Sequence, residues 1–277
     1  MKIKIATWNV NSIRSRIANL LDWIKISNPD VILLQELKCT NEQFPYLEFE
    51  SLGYNIEVLG QKAYNGVAIM SKYRMEDKIT ALPLYSIEEV EDLEARYLEV
   101  LITVAKTPIR IASVYVPNGT EGKPEEGQRL DETEKFYHKL RFFERLREHF
   151  KEAIKNDEKL IMGGDFNTCP ELIDMYSPKK DGDICCHKAE RAKLREILNL
   201  GVCDSTRKIH SENDIFSWWR YRSFGWEKNE GLRLDLILVS PNLIDNIINA
   251  DVESKETRGK DKPSDHAPVI CELEIAD

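Results

Sequence analysis

Apolar positions along this chain recur with two different spacings that alternate from the N-terminus onward. Residues 2–10 alternate as in a strand. In 14–26, Ile17, Leu20, Leu21 and Ile24 fall at helical spacing, and Pro29 ends that run. Residues 31–34 form a short apolar strand. Segments 54–59 and 66–71 are expected to pair as a hairpin around the turn dipeptide Asn65-Gly66. Strands 97–104 and 109–116 are expected to join near Thr107-Pro108. A polar loop at 117–128 leads into a long amphipathic helix over 131–155, with Phe136, Leu140, Phe143 and Leu146 on one stripe. An apolar strand at 160–162 runs into Gly163-Gly164, and a second strong helix covers 188–198. Short strands follow at 216–219, 234–239 and 269–274. Strands outnumber helices and many neighbours can pair antiparallel. The pattern therefore predicts an α/β arrangement of two sheets packed face to face with helices outside. No linker-like shift in composition divides the chain, so residues 1–277 read as a single domain.

Polar side chains stand at the ends of several apolar runs. Asn9 and Asn11 follow the first strand, Glu36 ends VILLQE, and Tyr115 and Asn118 end IASVYVPN. Asp165 and Asn167 follow LIMGG, Asp235 interrupts LRLDLILVS, and Asp265 and His266 precede APVICELE. Acids, amides and a histidine recurring at strand ends predict a shared rim, and oxygen donors on a shared rim suit a hard cation. Glu36 alone reads as an ordinary strand-end carboxylate. The glycine pair before Asp165 allows a tight turn or a close approach of ligand, and an extended Asp-Phe-Asn would point Asp165 and Asn167 to one side. Asp235 inside an apolar strand needs a partner, and His266 is the natural one. Glu36 with further oxygen ligands fits Mg²⁺, Asp165 fits a proton acceptor, and Asn167, His266 and Tyr115 fit donors to phosphoryl oxygens or the leaving group.

Composition changes this picture little. Hydrophobic residues at 42% and charged residues at 31% suit a soluble protein with a full core. The first residues alternate instead of forming a signal-peptide segment, which predicts a cytoplasmic protein. A net charge of −9 argues against gripping nucleic acid through bulk charge. A smaller basic face from Arg14, Arg16, Lys38, Lys62, Arg220 and Arg222 remains available. The six cysteines (Cys39, Cys169, Cys185, Cys186, Cys203 and Cys271) include no CxxC pair, so reduced thiols are expected over a zinc site.

The motifs TWNVNSIRSR, LLQELK, SVYVPNG, GGDFN, GLRLDLIL and SDHAPV occur in this order over almost the whole chain. Together they resemble the bacterial exonuclease III and AP endonuclease family of the exonuclease–endonuclease–phosphatase superfamily. The resemblance implies a four-layer sandwich, two packed mixed β-sheets flanked by helices, with its site at one end of the sheets. It implies dependence on Mg²⁺ or Mn²⁺, cleavage 5′ to abasic sites, and 3′-to-5′ exonuclease or 3′-end-cleaning action on duplex DNA, by a monomer. It carries metal contact to Glu36, with Asn9, Asp165, Asn167, Asp265 and His266 around it, and water activation to Asp165. It carries transition-state contact to Asn167, phosphate contact to Tyr115 and Asn118, and orientation of His266 to Asp235. Asn11, Arg14, Lys38 and Arg222 are further candidates for contact with the substrate. Trp218 and Trp219, in FSWWRYRS, fall where the family places aromatic residues around the abasic sugar, although one of the two is expected in the core. Family accounts differ over whether the histidine or the aspartate is the base and over one metal or two; Asp165 is preferred here, because a histidine held by Asp235 tends to imidazolium. Arg220 and Leu37 depart from the usual Asp and Thr, and residues 177–187 fit no pattern.

Two other readings compete. A superfamily phosphatase or phosphodiesterase on a lipid or inositol phosphate keeps the chemistry, but the VPNG loop and the tryptophan-rich segment favour DNA. A non-catalytic DNA-binding module would have no use for Asp235 or Glu36 at these places.

Overall fold

The computed structural model describes residues 1–84, 93–120, 129–212 and 214–276. In chain order the regular elements are β1 (Lys2–Asn9), α1 (Ile13–Ser27), β2 (Val31–Gln35), α2 (Tyr46–Glu50), β3 (Asn55–Leu59), β4 (Val67–Ser71), β5 (Glu76–Ile79), β6 (Tyr97–Val104) and β7 (Thr107–Tyr115). They continue with α3 (Glu134–Lys155), β8 (Leu160–Asp165), α4 (Lys188–Leu198), β9 (Cys203–Asp204), α5 (Ser205–Ile209), β10 (Trp218–Trp219), β11 (Gly231–Leu232), β12 (Asp235–Val239), β13 (Ile247–Val252), α6 (Lys255–Arg258) and β14 (Val269–Glu274). Residues 121–128 of the polar loop expected at 117–128 lie outside the described residues.

The strands form two six-stranded mixed sheets, ordered β13-β14-β1-β2-β4-β3 and β5-β6-β7-β8-β12-β9, with a two-stranded ribbon β10-β11 beside them. The sheets pack face to face over an aliphatic layer that includes Ile3, Ile5, Leu33, Val100, Ile111, Ile161 and Ile237. Outside the first sheet, Ala6 and Trp8 of β1 pack against Leu20, Trp23 and Ile24 of α1. Outside the second, Ala112, Val114, Leu160 and Met162 pack against Phe142, Phe143 and Leu146 of α3 and Leu194 and Ile197 of α4. Four layers result, as the motifs implied. Both faces of the central strands are covered, so β2 reads as a continuous apolar run.

Three local expectations need correction. The β3–β4 hairpin closes through a longer loop (residues 60–66), and Asn65-Gly66 lies at its far end, where Gly66 N donates to Ala95 O (3.0 Å). The turn between β6 and β7 is Ala105-Lys106, both at positive φ (48° and 71°), while Pro108 lies inside β7 opposite Thr103. Gly163-Gly164 makes no turn: both residues continue β8. A Cβ on Gly164 would stand 1.8 Å from Val114 O, and one on Gly163 would stand 2.7 Å from Leu33 Cδ1 of the facing sheet. The glycines allow close packing within and between the sheets.

Along the inter-sheet face, strand after strand changes from aliphatic to polar in the same direction. β1 reads Ile3, Ile5, Thr7, Asn9; β2 reads Val31, Leu33, Gln35; β7 reads Ile109, Ile111, Ser113, Tyr115. β8 reads Ile161, Gly163, Asp165, and antiparallel β12 reads Val239, Ile237, Asp235. The sandwich is therefore dry at one end and polar at the other. Beneath the polar end, Gln35 Nε2 donates to Thr7 Oγ1 and to Ser113 Oγ (both 3.0 Å), and Ser113 Oγ donates to Leu34 O (3.1 Å). This buried network joins the two sheets below the rim.

Candidate active site

Strand register sets the centre of the rim. Asp165 lies between Tyr115 of β7 and Asp235 of β12 in the second sheet. In the first sheet Asn9 pairs with Gln35, and Glu36 follows directly. The segment 264–267 crosses above: Ser264 Oγ donates to Asn9 O (2.7 Å), and Trp8 Nε1 donates to His266 O (3.0 Å). Ser217 Oγ accepts from the backbone N–H groups of Leu234 and Asp235, and Ser217 O accepts from Ala267 N (2.8 Å), which brings Asp235 beside His266.

His266 Nδ1 lies 2.8 Å from Asp235 Oδ2, and Nε2 lies 3.7 Å from Asp165 Oδ2. All three side chains are buried. Burial alone would lower the imidazole pKa, but Asp235 and Asp165 outweigh it and raise His266 to about 10. The two carboxylates thus favour the proton-bearing, donor form of the imidazole, and His266 also belongs with Glu36 and Asp165 to the group that could hold a metal ion. Burial pushes Asp165 up to about 7, with His266 opposing and Asp235 adding to the rise. Asp165 can therefore exchange a proton near neutrality.

Asn9 Nδ2 donates to Glu36 Oε1 and to Asp165 Oδ2, both at 2.9 Å, bringing the two carboxylates together. Its oxygen accepts from Asn11 N (3.0 Å), and its amide acts as a donor between the two acids. Burial would raise the Glu36 carboxyl, but the Lys38 ammonium (2.7 Å from Oε2) and the Asn9 amide hold it below the usual carboxylate range. Tyr115 Oη donates to Glu36 Oε1 (3.0 Å). Burial and then the charges of Glu36 and Asp165 push this phenol well up, which keeps it protonated. Glu36, Asp165 and His266 each offer a ligand atom within 4.8 Å of the others. The two carboxylates supply the oxygen donors of this group, and they fit a hard divalent cation.

Asn167 is not extended. Its φ is 48°, and its N–H donates to Asp165 Oδ1 (2.8 Å), an Asx turn that returns the amide to the rim. Its Oδ1 accepts from Asn118 Nδ2 (3.1 Å) and its Nδ2 donates to Val116 O (2.9 Å), so the Asn167 side chain holds the loop after β7. Asp265 holds two neighbours: Oδ1 accepts from Asn11 Nδ2 (2.9 Å) and Oδ2 from Trp218 Nε1 (3.1 Å). Glu36, Lys38, Asn11 and Asn167 all have positive φ, a concentration of strained backbone at one rim.

The rim opens into a cleft of about 650 Å³. Glu36, Tyr115, Asp165, Asn167 and His266 line one end. Tyr176, Ile184, Cys185, Trp218, Leu232 and Leu234 line the wall, with Lys180, Arg220 and Arg222 among the other lining residues. Residues 177–187, which fit no motif, thus build much of that wall. Trp219 does not line it: 2% exposed, it packs edge-on against Trp226 (4.8 Å) and donates to Asn229 Oδ1 (3.1 Å). Arg14 is exposed on α1 and is not among the lining residues. Thr7, Gln35, Ser113 and Ser217, which support the rim, were missed among the candidates; the change from aliphatic to polar along each strand's inward face would have found the first three.

A family model described as the endonuclease/exonuclease/phosphatase family matches residues 6–266. The chain belongs to that family. Among its members, exodeoxyribonuclease III of Haemophilus influenzae is 31% identical over 279 residues, covering 98% of this chain and all of that one. The exodeoxyribonuclease of Bacillus subtilis is 28% identical, covering 99% and 100%. Two solved structures, each 34% identical and covering 99% of this chain and 100% of theirs, superpose closely. They are the 3′ phosphatase NExo from Neisseria bound to a product DNA hairpin (TM-score 0.87) and an AP endonuclease from Archaeoglobus fulgidus (TM-score 0.85). Within the endonuclease/exonuclease/phosphatase family the chain is placed in the exonuclease III and AP endonuclease branch, hydrolases acting on DNA phosphodiester bonds.

Proposed function

We propose that this nuclease is a Mg²⁺-dependent phosphodiesterase of DNA repair that cuts 5′ to abasic sites and cleans or shortens 3′ ends of duplex DNA. The observation that carries the reading is the buried line Asp235–His266–Asp165 beside Glu36, opening into a cleft whose wall is largely apolar. Relatives described as an exodeoxyribonuclease III, a 3′ phosphatase bound to DNA and an AP endonuclease support it.

A divalent cation held by Glu36 and Asp165 would supply positive charge to a phosphoryl oxygen. Asp165, 2.9 Å from the Asn9 amide and 3.7 Å from His266 Nε2, accepts the proton of the attacking water. Asp235 orients His266 through Nδ1 and leaves Nε2–H to donate to a phosphoryl oxygen. One N–H of the Asn167 amide is taken by Val116 O, and the other is available to the same phosphate. Tyr115, held protonated, donates to a phosphoryl or leaving oxygen. Trp218, Leu232 and Leu234 form a wall against which a sugar without a base can turn out of the stack at low cost. Arg220, Arg222 and Lys180, which line the cleft, are the cations for flanking phosphates in this reading. We further propose that it acts as a cytoplasmic monomer of one domain.

The test is a side-by-side assay on abasic duplex, blunt duplex and 3′-phosphate ends, with Mg²⁺ and with chelator. Incision of the abasic strand that requires the metal is expected. Hydrolysis of an inositol phosphate with the abasic duplex left intact would contradict the reading.

A further inference from the structure

α3 buries a lysine in its core-facing stripe. Lys139 has no exposed surface and lies one helical turn from Phe136 and from Phe143. An ammonium in such a place is unfavourable unless acceptors meet it. Three do: Glu190 Oε1 at 2.6 Å, Asn167 O at 2.6 Å and Asn118 O at 3.3 Å. These match the three donors of an ammonium. Glu190 is itself fixed, because its Oε2 accepts from His187 N (3.0 Å) at the start of α4.

Two of the acceptors are backbone carbonyls of the residues whose amides line the cleft. Asn167, in its left-handed conformation, is held through its N–H by Asp165 and through its carbonyl by Lys139. Asn118, whose side chain donates to Asn167 Oδ1, is held by the same ammonium. The cation thus ties the loop after β7, the loop after β8 and α4 to α3 at one point.

We propose that Lys139 is a positioning residue for phosphodiester hydrolysis. Its ammonium clamps the carbonyls of Asn118 and Asn167 and so fixes the Asn167 amide, which Asn118 Nδ2 also supports, toward the scissile phosphate, with Glu190 as the buried counter-charge. This rests on the nuclease reading above. Removing the clamp lets the amides drift, and a displacement of about 1 Å at a reacting centre lowers turnover by about 10²-fold. Ground-state DNA binding, dominated by contacts to other phosphates, changes little.

The experiment compares wild type with Lys139→Met/Glu190→Leu on a duplex carrying one tetrahydrofuran abasic analogue, with thermal unfolding measured in parallel. The double variant removes both charges together, so no buried charge is left alone. A folded protein with kcat lower by about 10²-fold and KM within about threefold is expected. A folded double variant with kcat within about threefold of wild type, or with its loss confined to KM, overturns the proposal. Lys139→Arg keeps donors for both carbonyls and a cation for Glu190, and it decides the matter if the double variant does not fold. Its kcat is expected within about tenfold of wild type, and a hundredfold loss in folded Lys139→Arg overturns the proposal. Wild-type protein that leaves this duplex intact defeats the nuclease reading and this inference with it. Active wild type matched by the double variant defeats this inference alone.

Discussion

The imidazole of His266 can serve as a donor only while it keeps its second proton, and two buried carboxylates see to that. Asp235 stands against Nδ1 and Asp165 near Nε2, which raises the pKa to about 10. The proton is then lost as pH rises through that value, so the alkaline limb of kcat is expected near pH 10. Asp235→Asn keeps the hydrogen bond but removes its charge, which lowers the folded pKa of His266. The limb should move to lower pH by at least about one unit. A pH profile that stays in place would contradict the role given to Asp235. Glu36 is tested by metal titration. Glu36→Ala should raise the Mg²⁺ concentration for half-maximal rate by about tenfold or more, since one of two carboxylate donors is gone. An unchanged titration removes Glu36 from the ligands. Asp165, Asp235 and His266 were legible as residues because a carboxylate or an imidazole at the end of an apolar run demands an explanation. The commitments of Asn9, Asn167 and Asp265 to neighbouring amides and an indole were not, because hydrogen-bond partners far apart in sequence leave no local trace.

Among the elements, periodicity located helices and strands better than dipeptide signals located turns. The spacing over 188–198 matches α4 and that over 269–274 matches β14, since in each the buried face sets the pattern. The turn signals failed where tertiary contacts chose otherwise. Asn65-Gly66 serves a contact to Ala95, and Ala105-Lys106 takes the left-handed turn without a glycine. Lys139 was invisible for a related reason: a lysine in an amphipathic helix reads as solvated face until the acceptors brought by two distant loops are known. The Gly163-Gly164 pair shows how one signal admits two structures, a turn or close-packed strand. Gly164→Ala distinguishes them. With a Cβ at 1.8 Å from Val114 O, the substitution should destabilise by more than the roughly 1–3 kcal/mol usual for overpacking, measured by denaturant unfolding. A loss under about 1 kcal/mol would contradict the close packing of β7 and β8.

For the molecule as a whole, a net charge of −9 coexists with Lys180, Arg220 and Arg222 around the cleft. DNA affinity should then depend on a few contacts and not on bulk charge. Arg222→Ala should reduce the slope of log Kd against log salt by about 0.9, the amount for one phosphate contact. An unchanged slope would take Arg222 off the DNA. Away from the cleft, Asp174 is buried between Arg233 (2.6 Å) and Arg207. Burial would raise its carboxyl, but the two guanidinium groups hold it below the usual range. Its contribution to stability is present above its unfolded pKa and is lost as pH falls below about 4 through the folded value. Four layers were inferable from alternating strand and helix periods with the ordered motifs, whereas the cleft wall built by 177–187 was not, because an irregular segment carries no period. No helix among the described residues is long and apolar enough to cross a membrane.

The most direct measurement replaces Asp165 by Asn and follows turnover and DNA affinity separately on an abasic duplex. The substitution keeps the shape and the acceptor for Asn167 N–H but removes the proton acceptor and one carboxylate donor to the cation, so the assay is run at saturating Mg²⁺. Turnover should fall by at least about 10³-fold while Kd for uncleaved DNA stays within about threefold. Turnover close to wild type, or an equal loss of both quantities, would contradict proton acceptance by Asp165.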